Sequence, residues 1–228
     1  MTHQPSPASS TSSARKTRLA LTPLNAALLS AMCGLYPVQA YALDINALPT
    51  NGQVTAGSGS ISQSGNVMNV VQGSDRMAAT WNTFNIGSAA KVNFVQPSAS
   101  SVALNRVTSS DASQIMGQLN ANGQVYLINP SGILFGQGAM VNVGGLVASS
   151  LNMSDANFMA GNQRFEAGGA NGAVINQGSI VAADGGYVAL LGAQVRNEGS
   201  ITARLGSVML GAGEKVTLDF NGDGLINM

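Results

Sequence analysis

The residue types that most often carry chemistry are scarce in this chain of 228 residues. There is one histidine, His3, and one cysteine, Cys33. A Ser-His-Asp triad needs a histidine, a zinc site needs several histidines or cysteines, and a disulfide needs two cysteines. The composition therefore argues against all three kinds of site, and we expect no catalytic residues, no metal and no cofactor.

One run of acidic residues resembles part of a metal loop. The pattern matches the start of an EF-hand-type calcium loop and reads Asp219-x-Asn221-x-Asp223-Gly224-x-Ile226. The glutamate that closes such a loop would lie past the last residue. A Gly/Asn/Asp turn between structural repeats explains the same residues, so whether they bind calcium stays open.

The other acidic residues are scattered along the chain. They include Asp44, Asp75, Asp111, Asp155 and Asp184. Polysaccharide lyases gather carboxylates around calcium and use a lysine or arginine as the base, and the sequence shows no such grouping. The charges also balance, with 10 Lys+Arg against 10 Asp+Glu, whereas nucleic-acid binders carry a basic excess. We predict neither enzymatic activity nor nucleic-acid binding.

The first 42 residues have the order of a secretory signal peptide. Three basic residues at positions 15–18 precede an uncharged apolar run over 19–35, and the pattern Ala40-x-Ala42 follows. A basic start, an apolar centre and a small-residue cleavage site define such signals. A transmembrane helix needs about 20 apolar residues, and this run is shorter. We predict a signal peptide over 1–42, cleaved after Ala42 or Ala40.

Removal of this segment changes the remaining chain. It loses its histidine, its cysteine and 3 of its 10 basic residues, so 7 basic residues face 10 acidic ones, a net charge of −3. A chain without cysteine forms no disulfide in an oxidising compartment. That suits a protein that must stay unfolded for a further transport step, and it suits an ordinary exported domain equally well.

The rest of the sequence predicts short strands and an internal repeat. Runs of four to five β-type residues, such as Val67 to Val71 and Val125 to Ile128, alternate with Gly, Asn and Ser clusters. Two segments, 111–119 and 154–160, carry helix-capping residues and are candidates for a helical turn. Residues 174–186 match residues 195–207 at seven of thirteen positions, 21 residues apart.

A period of 21 residues fits one coil of a β-solenoid and is too short for a helical hairpin or a propeller blade. Equivalent residues of successive coils then stack about 4.8 Å apart. We expect Asn176 to stack on Asn197, with side-chain amides paired along the axis. A β-sandwich is the alternative fold class.

Several motifs resemble the secretion domain of two-partner-secreted exoproteins, the family of the filamentous haemagglutinin. The motifs lie at residues 81–87, 92–97, 104–107 and 115–149 and in the two Asn-x-Gly-Ser-Ile coils. The resemblance covers nearly all of 43–228. It implies an all-β, right-handed parallel β-helix of the pectin-lyase type. We expect an N-terminal cap, because an uncovered coil leaves unpaired strand edges.

The family hallmark Asn-Pro-Asn-Gly-Ile stands here as Asn129-Pro130-Ser131-Gly132-Ile133. Pro at the second position and Gly at the fourth predict a type I turn. The turn either shapes the β-helix only or, as the resemblance implies, also helps a transporter to recognise the chain. A second family motif, Asn-Pro-Asn-Leu, is not found.

The resemblance implies an N-terminal secretion domain of a large exported adhesin or haemagglutinin-like exoprotein. The Sec machinery would deliver it to the periplasm, and an outer-membrane β-barrel transporter with periplasmic domains would bind it and pass it out to the medium or cell surface. A stand-alone adhesin or carbohydrate-binding β-helix is the alternative. The chain stops inside an apparent strand at residue 228, so we expect a fragment whose effector part, aimed at host cells, haem or rival bacteria, is missing.

Overall fold

The computed structural model describes residues 1–2, 42–218 and 226–227. The chain divides into two units, Met1–Ala40 and Tyr41–Met228, and the fold below is that of the second. The predicted signal peptide (1–42) and residues 219–224, which resemble the start of a calcium loop, lie almost wholly outside the described residues. The signal peptide therefore stays a prediction, and calcium binding stays open. In the described ranges, no helix is both long and apolar enough to cross a membrane.

Two seven-stranded sheets form two faces of a solenoid. The first, the covered sheet, contains in spatial order β1 (Gln53–Ala56), β4 (Arg76–Trp81), β6 (Val102–Val107), β9 (Gln124–Ile128), β12 (Gly145–Ser149), β16 (Tyr187–Gly192) and β19 (Ser207–Ala212). The second, the amide sheet, contains β2 (Gly59–Ser64), β3 (Val67–Gln72), β5 (Lys91–Val95), β8 (Gln118–Ala121), β11 (Met140–Val143), β15 (Ser179–Ala182) and β18 (Ser200–Ala203).

A third face, the short sheet, has four strands. They are β7 (Ser113–Ile115), β10 (Ile133–Phe135), β14 (Ala173–Asn176) and β17 (Gln194–Asn197). From β6 onward each coil thus visits the three sheets in turn, and pairing between coils is parallel throughout. The predicted all-β, parallel β-helix is confirmed.

The N-terminal end of the solenoid is capped by two antiparallel strands. β1 pairs antiparallel with β4, and β2 pairs antiparallel with β3. These strands occupy the edges on which another coil would otherwise stack, which limits edge-to-edge association. The predicted N-terminal cap is confirmed.

Stacked apolar side chains fill the interior. One row on the amide sheet consists of Val92, Leu119, Val141 and Ile180, all fully buried and paired in register. Burial of each such side chain contributes about 1.5–3 kcal/mol. The 21-residue repeat is present in the last coils, since Ile180 pairs with Ile201.

One long excursion leaves the solenoid between β12 and β14. It contains α1 (Asp155–Ala160) and β13 (Arg164–Glu166). β13 pairs antiparallel with β20 (Lys215–Leu218), which pairs in turn with β21 (Ile226–Asn227). Because these residues lie outside the coils, the described chain holds six parallel strands in each large sheet. A period of 21 residues alone would allow about nine coils in residues 43–228.

Of the two predicted helical turns, one is confirmed. Ser154 caps α1 through its side chain, which accepts from the Asn157 N–H, and Gly161 ends the helix in the left-handed region. The other prediction, over 111–119, is wrong, because this segment contains β7 and the start of β8. Its residues Ser113 and Ile115 are buried in the coil, so tertiary pairing overrides the capping pattern.

Candidate recognition site

The hallmark turn, residues 129–133, joins β9 of the covered sheet to β10 of the short sheet. The Gly132 N–H donates to the Asn129 carbonyl at 2.9 Å, which closes a four-residue turn. Ser131 does not have a positive φ, which excludes a type II turn and fits the type I turn expected for Pro130. The turn therefore forms at a corner of the solenoid.

Asn129 is fully buried and holds the turn to the coil before it. Its Nδ2 donates to the Asp111 carbonyl at 2.9 Å and to Ser113 Oγ at 3.0 Å, and its Oδ1 accepts from the Ser131 N–H at 2.9 Å. An asparagine uses its donors and its acceptor at once in this way. The amide group of this side chain is thus hydrogen-bonded within the domain, and the residue has no exposed surface that a partner could contact.

The coil after the turn presses closely on it. Gly132 has φ +111°, and a Cβ there would lie 2.8 Å from the Ala173 carbonyl oxygen. A Cβ on Gly172 would lie 2.3 Å from the Gly132 nitrogen. At both positions a Cβ would collide with backbone atoms of the neighbouring coil, so both positions require glycine.

The parts of the turn that reach solvent are Pro130 and Ser131, which are half-buried. Ser131 occupies the position at which the family hallmark has its second asparagine. Leu134 and Ile175, paired in register on the outer side of the short sheet, are also half-buried. Any contact with a partner at this corner must therefore use these side chains and the backbone, and it cannot use Asn129.

The structure places Asn176 beside Asn197. Nδ2 of Asn176 donates to Oδ1 of Asn197 at 2.8 Å, and Oδ1 of Asn176 accepts from the Gly178 N–H at 3.1 Å. Asn176 is fully buried, whereas Asn197 is exposed. The pair shares the corner that follows the short sheet.

A second amide ladder was missed by the sequence reasoning. Asn120 donates to Asn93 and Asn93 donates to Asn69, each at 3.0 Å, along the outer side of the amide sheet. Gln96 donates to Gln72 in the same way, also at 3.0 Å, at a buried corner. The signal was available, since each Asn occupies the third position of a strand whose neighbours are apolar.

The outer side of the covered sheet holds a buried pair of tyrosines. Tyr126 Oη lies 2.9 Å from Tyr187 Oη and 2.9 Å from Gln163 Oε1. Burial raises the pKa of Tyr126 above its ordinary value of 10.0, and burial together with the neighbouring Tyr126 raises the pKa of Tyr187 well above it. Both hydroxyls therefore stay protonated over the ordinary pH range.

Charged side chains do not gather at one place in the described part of the chain. Within it, no group of three or more His, Cys, Asp or Glu side chains could hold a metal ion. The ion pairs lie at the surface, as in Arg164–Glu166 at 2.7 Å and Arg196–Glu198 at 3.6 Å. The distinctive polar contacts of the described residues are thus the hydrogen bonds of the hallmark turn and of the amide ladders.

Comparison with known proteins decides the family. Residues 45–227 match the family model described as the TPS secretion domain. The chain belongs to the TPS secretion domain family. It is thus a secretion domain of the two-partner-secreted exoproteins.

Two relatives and one solved structure illustrate the match. A heme/hemopexin-binding protein of Haemophilus influenzae is 38% identical over 179 residues, which cover 75% of this chain and 20% of that protein. A second protein of the same name and species is 48% identical over 86 residues, covering 38% of this chain and 9% of it. The crystal structure of the HMW1 secretion domain from Haemophilus influenzae gives a TM-score of 0.75 at 37% identity, covering 79% of this chain and 49% of that one.

The TPS domain match extends along the solenoid, but the chain spans at most a fifth of the length of these curated relatives. What they share with this chain is the secretion domain. The activity that their names describe belongs to proteins of which the matched part is 20% or less.

Proposed function

We propose that residues 43–228 are the N-terminal secretion domain of a large exported adhesin or haemagglutinin-like exoprotein. A cognate outer-membrane β-barrel transporter binds this domain through its periplasmic domains and passes the chain outward. The observation that carries the proposal is the continuous match of residues 45–227 to the TPS secretion domain. The Sec machinery delivers the chain first, guided by the signal peptide predicted for 1–42.

The fold supplies a driving force for the outward step. Each coil buries a row of apolar side chains against the coil before it, as Val141 does against Leu119. Free energy is thus released coil by coil outside the cell, which opposes return of the chain without consumption of ATP.

The domain itself carries no catalytic activity in this proposal. Its carboxylates are dispersed, and residues 43–228 have neither histidine nor cysteine. These two are also common ligands of haem iron. If the parent protein binds haem, as the names of the relatives describe for them, its ligands are expected outside the shared domain, and targets on host cells or rival bacteria are expected there too.

Binding to the transporter tests the proposal. We would measure association of the exported chain with the soluble periplasmic domains of the transporter encoded beside its gene. The parent should bind. Ser131→Lys places a long charged side chain on the solvent-facing part of the hallmark turn. It should weaken binding at least tenfold with little change in stability.

The control is Gln137→Lys, at an exposed position of the next corner. It adds the same charge away from the turn and should bind like the parent. Equal binding by both variants would confine the hallmark turn to a structural role. No binding by the parent, together with binding to glycans, would favour the stand-alone adhesin or carbohydrate-binding module instead.

A further inference from the structure

The covered sheet is buried on both faces along its central strands, from β4 to β16, which divides the protein into two apolar clusters. The inner cluster fills the solenoid and includes Val125, Leu146 and Val188. The outer cluster lies on the other side of the same strands and includes Tyr126 and Val147. The backbone of the covered sheet separates the two, so each cluster has its own covering layer.

The layer over the outer cluster is made by two segments outside the coils. Residues 151–167, which contain α1 and β13, are named the strap. The strap together with β20 is named the cover. The cover contributes its buried apolar side chains to the outer cluster alone: Leu151, Met153, Phe158, Phe165, Val216 and Leu218. Removal of the cover would therefore leave the inner cluster intact.

Backbone hydrogen bonds tie the strap to β20. β13 pairs with β20 along its length, and at the two ends of this ladder Ala167 donates to the Glu214 carbonyl at 2.7 Å and Leu218 to the Gln163 carbonyl at 3.0 Å. The two segments thus form one unit. The parallel ladders of the solenoid use other strands and do not need this unit.

Side chains tie the strap to the covered sheet. Arg106 forms an ion pair with Asp155 at 2.7 Å and also donates to the Met153 carbonyl. Arg76 donates to the Phe158 carbonyl at 3.0 Å and lies 5.5 Å from the centre of that ring. Asp155 is half-exposed, so salt screens the attachment made by Arg106.

Glycines at one end of each segment leave room for movement. Gly168 and Gly169 follow the strap with φ +53° and +90°, and a Cβ at either would meet no atom within 4 Å. Gly213 precedes β20, and its nearest such atom is 4.0 Å away. An open cavity of about 690 Å³ lies between these hinges, lined by residues 166–171 and 213–215.

We propose that the cover is a hinged lid, which opens as one unit while the solenoid stays folded and exposes the outer apolar face of the covered sheet. The inference rests on the fold alone and holds whether or not a transporter binds the domain. Closure of the lid follows formation of the coils that carry its contacts, because it joins Arg76 of β4 to Phe158 of the strap, and the strap to β20.

Two alanines of the covered sheet allow a matched test. Ala189 belongs to the outer cluster and Ala148 to the inner cluster, both with no exposed surface and on adjacent strands. Each is replaced by Cys in a chain that carries Cys33→Ser, and the labelling rate of the thiol is measured under native conditions. If the lid opens, Ala189→Cys reacts at least tenfold faster than Ala148→Cys.

A second substitution checks that the lid controls the reaction. Asp155→Asn removes the ion pair with Arg106 from the surface of α1 and should speed labelling of Ala189→Cys severalfold while leaving Ala148→Cys unchanged. Equal rates at the two cysteines, slow or fast, would overturn the proposal, since exposure would then come from unfolding of the whole domain. So would a lack of response to Asp155→Asn.

Discussion

At the scale of single residues, Asn129 is the best-defined element of the hallmark. Three hydrogen bonds of 2.9–3.0 Å fix its side chain in a site without solvent. Its identity is therefore explained by the fold, whereas the outward part of the turn is free to serve recognition.

Replacement of Asn129 by alanine should destabilise the domain. The partners left behind are the Asp111 carbonyl, Ser113 Oγ and the Ser131 N–H, and an unsatisfied buried polar group costs about 1–3 kcal/mol. We expect the free energy of unfolding to fall by about 2 kcal/mol in urea titrations. Ser131→Asn, which restores the family hallmark at a half-buried position, is the control and should change it by about 0.5 kcal/mol or less.

The tyrosine pair predicts how stability depends on pH. In the unfolded chain both hydroxyls ionise near 10.0, whereas burial raises the pKa of Tyr126 and of Tyr187 in the folded state. The unfolded state therefore loses protons first, so the stabilisation contributed by this pair is constant below pH 10 and falls above it.

The decline should approach about 1.4 kcal/mol per pH unit for each tyrosine. Urea titrations between pH 8 and 11.5 would measure it, with the double variant Tyr126→Phe/Tyr187→Phe as the control. A curve of the same slope in the double variant would show that other groups cause the decline.

At the scale of elements, contacts between coils limit which residues fit at the corners. Gly172 follows the excursion and brings the chain back onto the hallmark turn. Its Cβ would lie 2.3 Å from the Gly132 nitrogen and 2.6 Å from the Pro130 carbonyl oxygen. Neither atom belongs to a side chain that can rotate away.

Gly172→Ala should therefore destabilise the domain by about 3 kcal/mol, the upper part of the usual range for overpacking. Gly213→Ala is the matched control, because the nearest atom to its Cβ is 4.0 Å away. Thermal unfolding of both variants measures the difference. A loss of the same size in both would mean that the tight contact at Gly172 is not its cause.

The sequence predicted the coils well because their signals are local and repeated. Strands such as β3 and β9 follow from short β-type runs between turn formers, and the 21-residue match fixes the register of β14 on β17. The hallmark turn follows from Pro130 and Gly132. Each of these features depends on neighbours within one or two coils.

Apart from α1, the cover was not predicted, because the two strands that pair within it lie far apart along the chain. β13 meets β20 about 50 residues later, and no repeat links them. One signal was nevertheless present: β9 and β16 are continuous apolar runs, typical of strands buried on both faces. In β11, by contrast, exposed and buried residues alternate, as expected for a strand that is buried on one face only.

At the scale of the whole molecule, this chain is a secretion domain. Its solenoid is capped at the N-terminal end, its core is stacked coil by coil, and its family is that of secretion domains. In the proposed function, this domain acts together with its transporter.

Secretion of the whole chain with and without the transporter tests this claim most directly. The chain would be produced in a Gram-negative host that lacks such a transporter, alone or with the one encoded beside its gene, and folded protein in the medium would be quantified. We expect it in the medium only when the transporter is present, with Gly172→Ala secreted less and Gly213→Ala like the parent. Equal amounts with and without the transporter would contradict the account.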